Sequence, residues 1–185
     1  MSAPSRREVF AGLAASVFAV ALPSGAEAHP RPVTPPTIVG FRTRAPAGAI
    51  VVHTAERRLY LVLGRGRALE YVIGVGRSGR LFRGSGRIGR KVAWPSWTPT
   101  ENMIRREPHK YARFAGGVPG GLGNPLGARA LYLYRGGRDT MYRIHGTNDP
   151  TSVGRAVSNG CIRLLNAHVE DLYTRVSIGA PVYVQ

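Results

Sequence analysis

Three short runs of β-branched and aromatic residues, at 49–54, 58–63 and 68–75, follow one another with only Ala55-Glu56-Arg57 and Gly64-Arg65-Gly66-Arg67 between them. Short runs of this composition, broken by turn-forming residues, pair as antiparallel strands, and so close a spacing leaves no room for intervening helices. Residues 130–134 and 142–145 repeat the pattern around a Gly136-Gly137 turn, and 181–184 supply a last strand. Helical spacing is convincing only at 166–176, where Val169, Leu172, Tyr173 and Val176 share one side and Asn166 stands at the N-cap position. The expected fold class is therefore mainly β, with Tyr60 and Tyr71 packed in the core as strand residues.

Residues 76–128 are dense in Gly and Pro and contain Trp94-Pro95-Ser96-Trp97-Thr98-Pro99. They are too long for a plain connection, and read either as a loop that covers a substrate or as an ordered flap without function. Residues 1–28 read as an export signal. Arg6-Arg7 precede an apolar, Ala-rich run from Val9 to Leu22, and Ala26-Glu27-Ala28 offers small residues for cleavage. Paired arginines before a weakly hydrophobic run resemble a twin-arginine signal, which implies a bacterial periplasmic or envelope location. The run falls short of the ~20 residues that span a bilayer, so no stable membrane span is expected after cleavage. Pro30, Pro32, Pro35, Pro36 and Pro46 make 29–48 an expected extended linker, and 49–185 the expected single domain.

Lys and Arg number 26 against 10 Asp and Glu, a net charge of +16 that removal of the leader leaves unchanged, since Arg6, Arg7, Glu8 and Glu27 cancel. Such a charge attracts polyanions. The arginines are dispersed and no nucleic-acid-binding motif is present, so nucleic acid is not the expected partner. Acidic polymers of a cell envelope suit an exported basic protein better, and part of the charge serves solubility alone.

Cys161 is the only cysteine, so the chain makes no internal disulfide. In an oxidising compartment a single thiol is buried, paired between chains, or kept reactive. It sits in Ser158-Asn159-Gly160-Cys161-Ile162-Arg163, after Ile144-His145-Gly146-Thr147. A thiol attacks acyl carbon as thiolate and an imidazole can take its proton, so Cys161 and His145 form the smallest constellation that performs acyl transfer. Gly160, without a Cβ, allows close approach of backbone to a substrate carbonyl, and the Gly160 and Cys161 N–H groups are the expected oxyanion hole.

The segment Ile144-His145-Gly146-Thr147-Asn148, followed by Ala156-Val157-Ser158-Asn159-Gly160-Cys161-Ile162-Arg163-Leu164, closely resembles the L,D-transpeptidases with a YkuD-type catalytic domain. Trp94-Pro95-Ser96-Trp97-Thr98-Pro99 and Gly123-Asn124-Pro125-Leu126-Gly127 extend the similarity, which covers the chain from about Ala49 onward. The resemblance implies a β-sandwich-like domain with one or two short helices and long irregular loops. It implies acyl transfer on peptidoglycan stem peptides, from a tetrapeptide donor to a second stem peptide or an envelope-protein lysine. Carried over by position, Cys161 is the nucleophile, His145 the general base, Gly160 and Cys161 the backbone donors, and Arg163, Ser158, Asn159 and Gly146 lie near substrate. No metal or organic cofactor is implied. The family's commonest pattern has a histidine where this chain has Asn159, which leaves His145 as the sole nearby base.

Arg163 is read in two ways, as the holder of a stem-peptide carboxylate or as a structural ion-pair donor. His53 and His109 have no neighbours at metal-ligand spacing, His168 is expected on the solvent side of its helix, and His29 lacks a second ligand for copper. Two other functions stay open: a carboxypeptidase on the same peptides, with water as acceptor, and a non-catalytic envelope-binding module.

Overall fold

A computed structural model of the protein describes residues 34–77 and 81–185. The strands are β1 (Thr37–Gly40), β2 (Ile50–His53), β3 (Arg58–Gly64), β4 (Arg67–Val72), β5 (Val75–Gly76), β6 (Gly84–Ala93), β7 (Arg129–Arg135), β8 (Arg138–His145), β9 (Ala156–Ser158), β10 (Ile162–Arg163) and β11 (Pro181–Val184). Three helices accompany them: α1 (Glu101–Arg106), α2 (Pro108–Tyr111) and α3 (Asn166–Arg175). Nine of these strands form one sheet in the order β1-β4-β3-β2-β11-β6-β7-β8-β10, and β5 pairs with β9. The fold is mainly β, as the run pattern predicts. Neighbours in the large sheet are antiparallel except β11 on β2 and β10 on β8.

Alternation explains the principal core. Ile50, Val52, Leu59, Leu61 and Tyr71 from one half of the sheet pack with Leu131, Leu133, Ile144 and Val182 from the other, and with Val169 and Leu172 of α3. The opposite face of β2 and β3 is also buried. Ala49, Val51, Tyr60, Val62 and Ala68 form a second cluster under Val39, Phe41 and Ala45. The segment expected as a linker thus contributes both an edge strand, β1 on β4, and the cover for this face. Its apolar residues at 38, 39 and 41 are too few for periodicity to mark a strand, and tertiary pairing makes one.

The irregular reading of 76–128 is corrected by β6, the longest strand, which joins β11 to β7. Its sequence GSGRIGRKVA lacks alternation because packing demands glycine: a Cβ on Gly89 would overlap the Tyr134 ring, and one on Gly86 would lie 2.9 Å from the Tyr134 carbonyl. The segment also holds α1, capped by Thr100 Oγ1 accepting from the Met103 N–H, and α2, with Pro108 in its first turn. Two expectations for α3 are overturned. His168 is buried, and its Nε2 donates to the Thr34 carbonyl at 2.8 Å. Asn166 makes no cap, Leu165 occupying that position, because its amide oxygen is engaged elsewhere. The export signal expected at 1–28 lies outside the described residues.

Candidate active site

His145 is the last residue of β8, and Cys161 stands immediately before β10, the strand laid parallel on β8. In that register Arg163 is level with His145 and Ile162 with Ile144, so Cys161 falls two residues upstream of the Arg163–His145 pair. A parallel pairing needs a long crossover, here the whole of 146–161, so residues distant in sequence become strand neighbours.

The His145 ring is buried, and its Nδ1 lies 2.6 Å from the Gly146 carbonyl oxygen. A carbonyl only accepts, so Nδ1 carries the proton and Nε2 keeps its lone pair. Burial first, then the charges of Arg163 and Arg143, hold the imidazole pKa down to about 3. The ring is therefore neutral at physiological pH. Cys161 is partly buried, and burial pushes its thiol above the ordinary range, while the Arg143 backbone N–H and the charges of Arg143 and Arg163 work against that rise. The resting pair is thus neutral thiol with neutral imidazole, in contrast to a preformed thiolate.

The loop carrying Cys161 is braced from within. Ser158 Oγ donates to the Cys161 carbonyl at 2.6 Å and accepts the Gly160 N–H at 3.1 Å, with Ser158 itself buried. Gly160 has φ +129°, a conformation open to glycine and strained for other residues. The Gly160 N–H is engaged by the Ser158 hydroxyl, whereas the Cys161 N–H has no hydrogen-bond partner among the described residues. Ser158 braces the loop and does not line the cleft.

That cleft has a volume of about 490 Å³ and runs between the α1 region and the β7–β8 hairpin. Cys161 and Asn159 line it; Arg163, Ser158 and Gly146 do not. Arg163 has no ion pair among the described residues and its Nε is buried without a hydrogen-bond partner; its charge favours neutral His145 and the Cys161 thiolate. Gly146 serves through its carbonyl, which fixes the His145 tautomer.

Several cleft residues escaped the sequence. Arg143 lines it, held by Asp139 at 2.7 and 2.9 Å and lying 4.0 Å from the Tyr132 ring centroid. Alternation along β8 is obscured by a bulge in which Leu133 alone spans the stretch opposite Thr140, Met141 and Tyr142, with Met141 at φ +63°. The opposing wall brings Trp97, Asn102, Arg106 and Glu107 to the cleft. Asn159 Nδ2 donates to the Tyr111 hydroxyl at 3.0 Å, which ties the Cys161 loop to α2.

Residues 47–184 match the family model for the YkuD L,D-transpeptidase catalytic domain. The chain belongs to the L,D-transpeptidase family. Among curated relatives, this L,D-transpeptidase domain is 37% identical over 138 residues to the probable L,D-transpeptidase ErfK/SrfK of Escherichia coli, a match covering 73% of the chain and 43% of that protein. It is 42% identical over 98 residues to the probable L,D-transpeptidase YbiS of the same species, covering 50% of the chain and 29% of the relative. The matched segment is thus less than half of either relative. A solved structure from Brucella melitensis, described as a probable carnitine operon oxidoreductase caia, is 46% identical with TM-score 0.57, over 82% of the chain and 92% of that protein. L,D-transpeptidase 3 of Mycobacterium tuberculosis shares the fold at 18% identity and TM-score 0.51, over 74% of the chain and 60% of that protein.

Proposed function

We propose that this protein is an exported L,D-transpeptidase that acts on peptidoglycan stem peptides through a thioester on Cys161. The carrying observation is the neutral His145, with Nδ1 committed to Gly146 and Nε2 left unprotonated, on the strand beside β10, which begins one residue after Cys161. In this reading His145 Nε2 takes the Cys161 proton as Sγ attacks the carbonyl of the donor's third residue. The Cys161 N–H faces the developing oxyanion. Collapse breaks the peptide bond, D-Ala leaves as an amine protonated by His145, and the thioester remains. An acceptor amine then attacks, gives its proton to His145, and expels the Cys161 sulfur as a new amide forms. The acceptor is a second stem peptide, giving a 3-3 cross-link, or an envelope-protein lysine.

Because both groups rest neutral, the nucleophile forms only as substrate arrives, which protects a lone thiol in an oxidising compartment. In this reading the leader expected at 1–28 carries the domain to the bacterial envelope. Among the described residues no helix is long and apolar enough to cross a membrane.

Intact-mass spectrometry of the protein with a purified tetrapeptide stem tests this reading, alongside Cys161→Ala and with a second stem added. A tripeptide-sized adduct on Cys161 that resolves to a cross-linked product is the expected result. Release of free tripeptide alone would mean a carboxypeptidase, and no adduct on a folded, reduced protein would favour a binding module.

A further inference from the structure

Asn166 opens α3, yet its amide oxygen serves a different part of the chain. Oδ1 accepts the N–H of Ala128 and the N–H of Thr147, each at 3.1 Å, and both of those residues are buried. The Thr147 N–H belongs to the same peptide unit as the Gly146 carbonyl. A Cβ on Gly127 would collide with Asn166 Oδ1, the Thr147 nitrogen and the Gly146 carbonyl carbon, and one on Gly146 would collide with the same Oδ1. Gly127 also has φ +64°, so two glycines and one amide oxygen are fitted around a single peptide unit. The carbonyl of that unit, Gly146 to Thr147, takes the His145 Nδ1–H, and the preceding peptide is held by the Gly146 N–H donating to the Arg129 carbonyl at 3.0 Å.

We infer that Asn166 is a positioning residue: by holding the N–H end of the Gly146–Thr147 peptide together with the neighbouring Ala128 N–H, it keeps the Gly146 carbonyl aimed at His145 Nδ1 and so leaves Nε2 as the unprotonated nitrogen. Its effect on catalysis rests on the function proposed above, whereas its effect on the His145 tautomer does not. Removing Oδ1 leaves two buried N–H groups without an acceptor, and rotation of the Gly146 peptide to relieve them also withdraws the partner of Nδ1. Only the oxygen of the Asn166 amide is used in these contacts, so a carboxylate of the same shape is a sufficient replacement.

The test is 15N-histidine NMR of the full chain at neutral pH, in wild type, Asn166→Asp, Asn166→Ser and Asn166→Leu. Wild type and the Asp variant are expected to show His145 with Nδ1 protonated. The Leu variant, and the Ser variant with its shorter reach, are expected to lose that preference. Acylation of Cys161 by the tetrapeptide stem should slow about 10- to 100-fold in the Leu variant, with little change in the peptide concentration giving half the maximal rate. A folded Leu variant with the wild-type tautomer overturns the inference, as does an Asp variant that fails to retain it. Where the Leu protein does not fold, the Ser variant decides by the same criterion. A wild type with the expected tautomer and no acylation would sink the peptidoglycan reading and leave the Asn166 assignment standing.

Discussion

The Ser158 hydroxyl bridges the two ends of the turn that presents Cys161, donating to the Cys161 carbonyl at 2.6 Å while accepting from Gly160 at 3.1 Å. Ser158→Ala removes both bonds from a buried site. The expected loss is about 1–3 kcal/mol of stability, read by urea unfolding, together with a slower reaction of Cys161 with the stem peptide. A variant as stable as wild type would show that the brace contributes nothing.

His145 makes the fold sensitive to acid. Its ring titrates at 6.5 when unfolded and at about 3 when folded. Below pH 6.5 the unfolded chain gains a proton that the native state does not take up, so this contribution is complete above pH 6.5 and is lost progressively as pH falls toward 3. At pH 5 the loss is about 2 kcal/mol. Replacement by Gln should abolish that increment when the stabilities of the two proteins are compared at pH 7 and pH 5.

Cys161 should react with iodoacetamide slowly at neutral pH and faster as pH rises, with a midpoint above that of an unperturbed thiol. Arg143→Met removes a charge that favours the thiolate and should move the midpoint upward again. A plateau already reached at pH 7 would be incompatible with the neutral resting pair.

Tyr111→Phe breaks the tie between α2 and the Cys161 loop at Asn159. Faster amide hydrogen exchange across 101–114, corresponding to about 0.5–1.5 kcal/mol of local stability, is the expected result. Unchanged exchange would mean that the contacts of Trp97 with Tyr111 and Phe114 hold this wall by themselves.

The strands at 50–53, 58–64 and 67–72 were legible because β-branched residues and short turns act locally, and α3 because Val169 and Leu172 repeat with the helical period. Strand β6 was not. Its glycines answer to Tyr134, a residue more than forty positions away, and no local pattern encodes that contact. The same holds at the site. Cys161 and His145 stood out by residue type, whereas the bond between the Gly160 N–H and the Ser158 hydroxyl depends on how the loop folds and no spacing announces it. Arg143 and Tyr132 became cleft residues through a bulge whose register no spacing rule announces. Asn166 carried a helix-cap signature that a partner from another segment overrode.

Strand β11 lies between β2 and β6, hydrogen-bonded to both. Without it the β1–β4 half and the β6–β8 half have no shared strand, and each presents a bare edge. Closing the sheet joins positions 50 and 182, a pairing of high sequence separation that forms slowly, and a chaperone shielding those edges during folding would be guarding one specific seam.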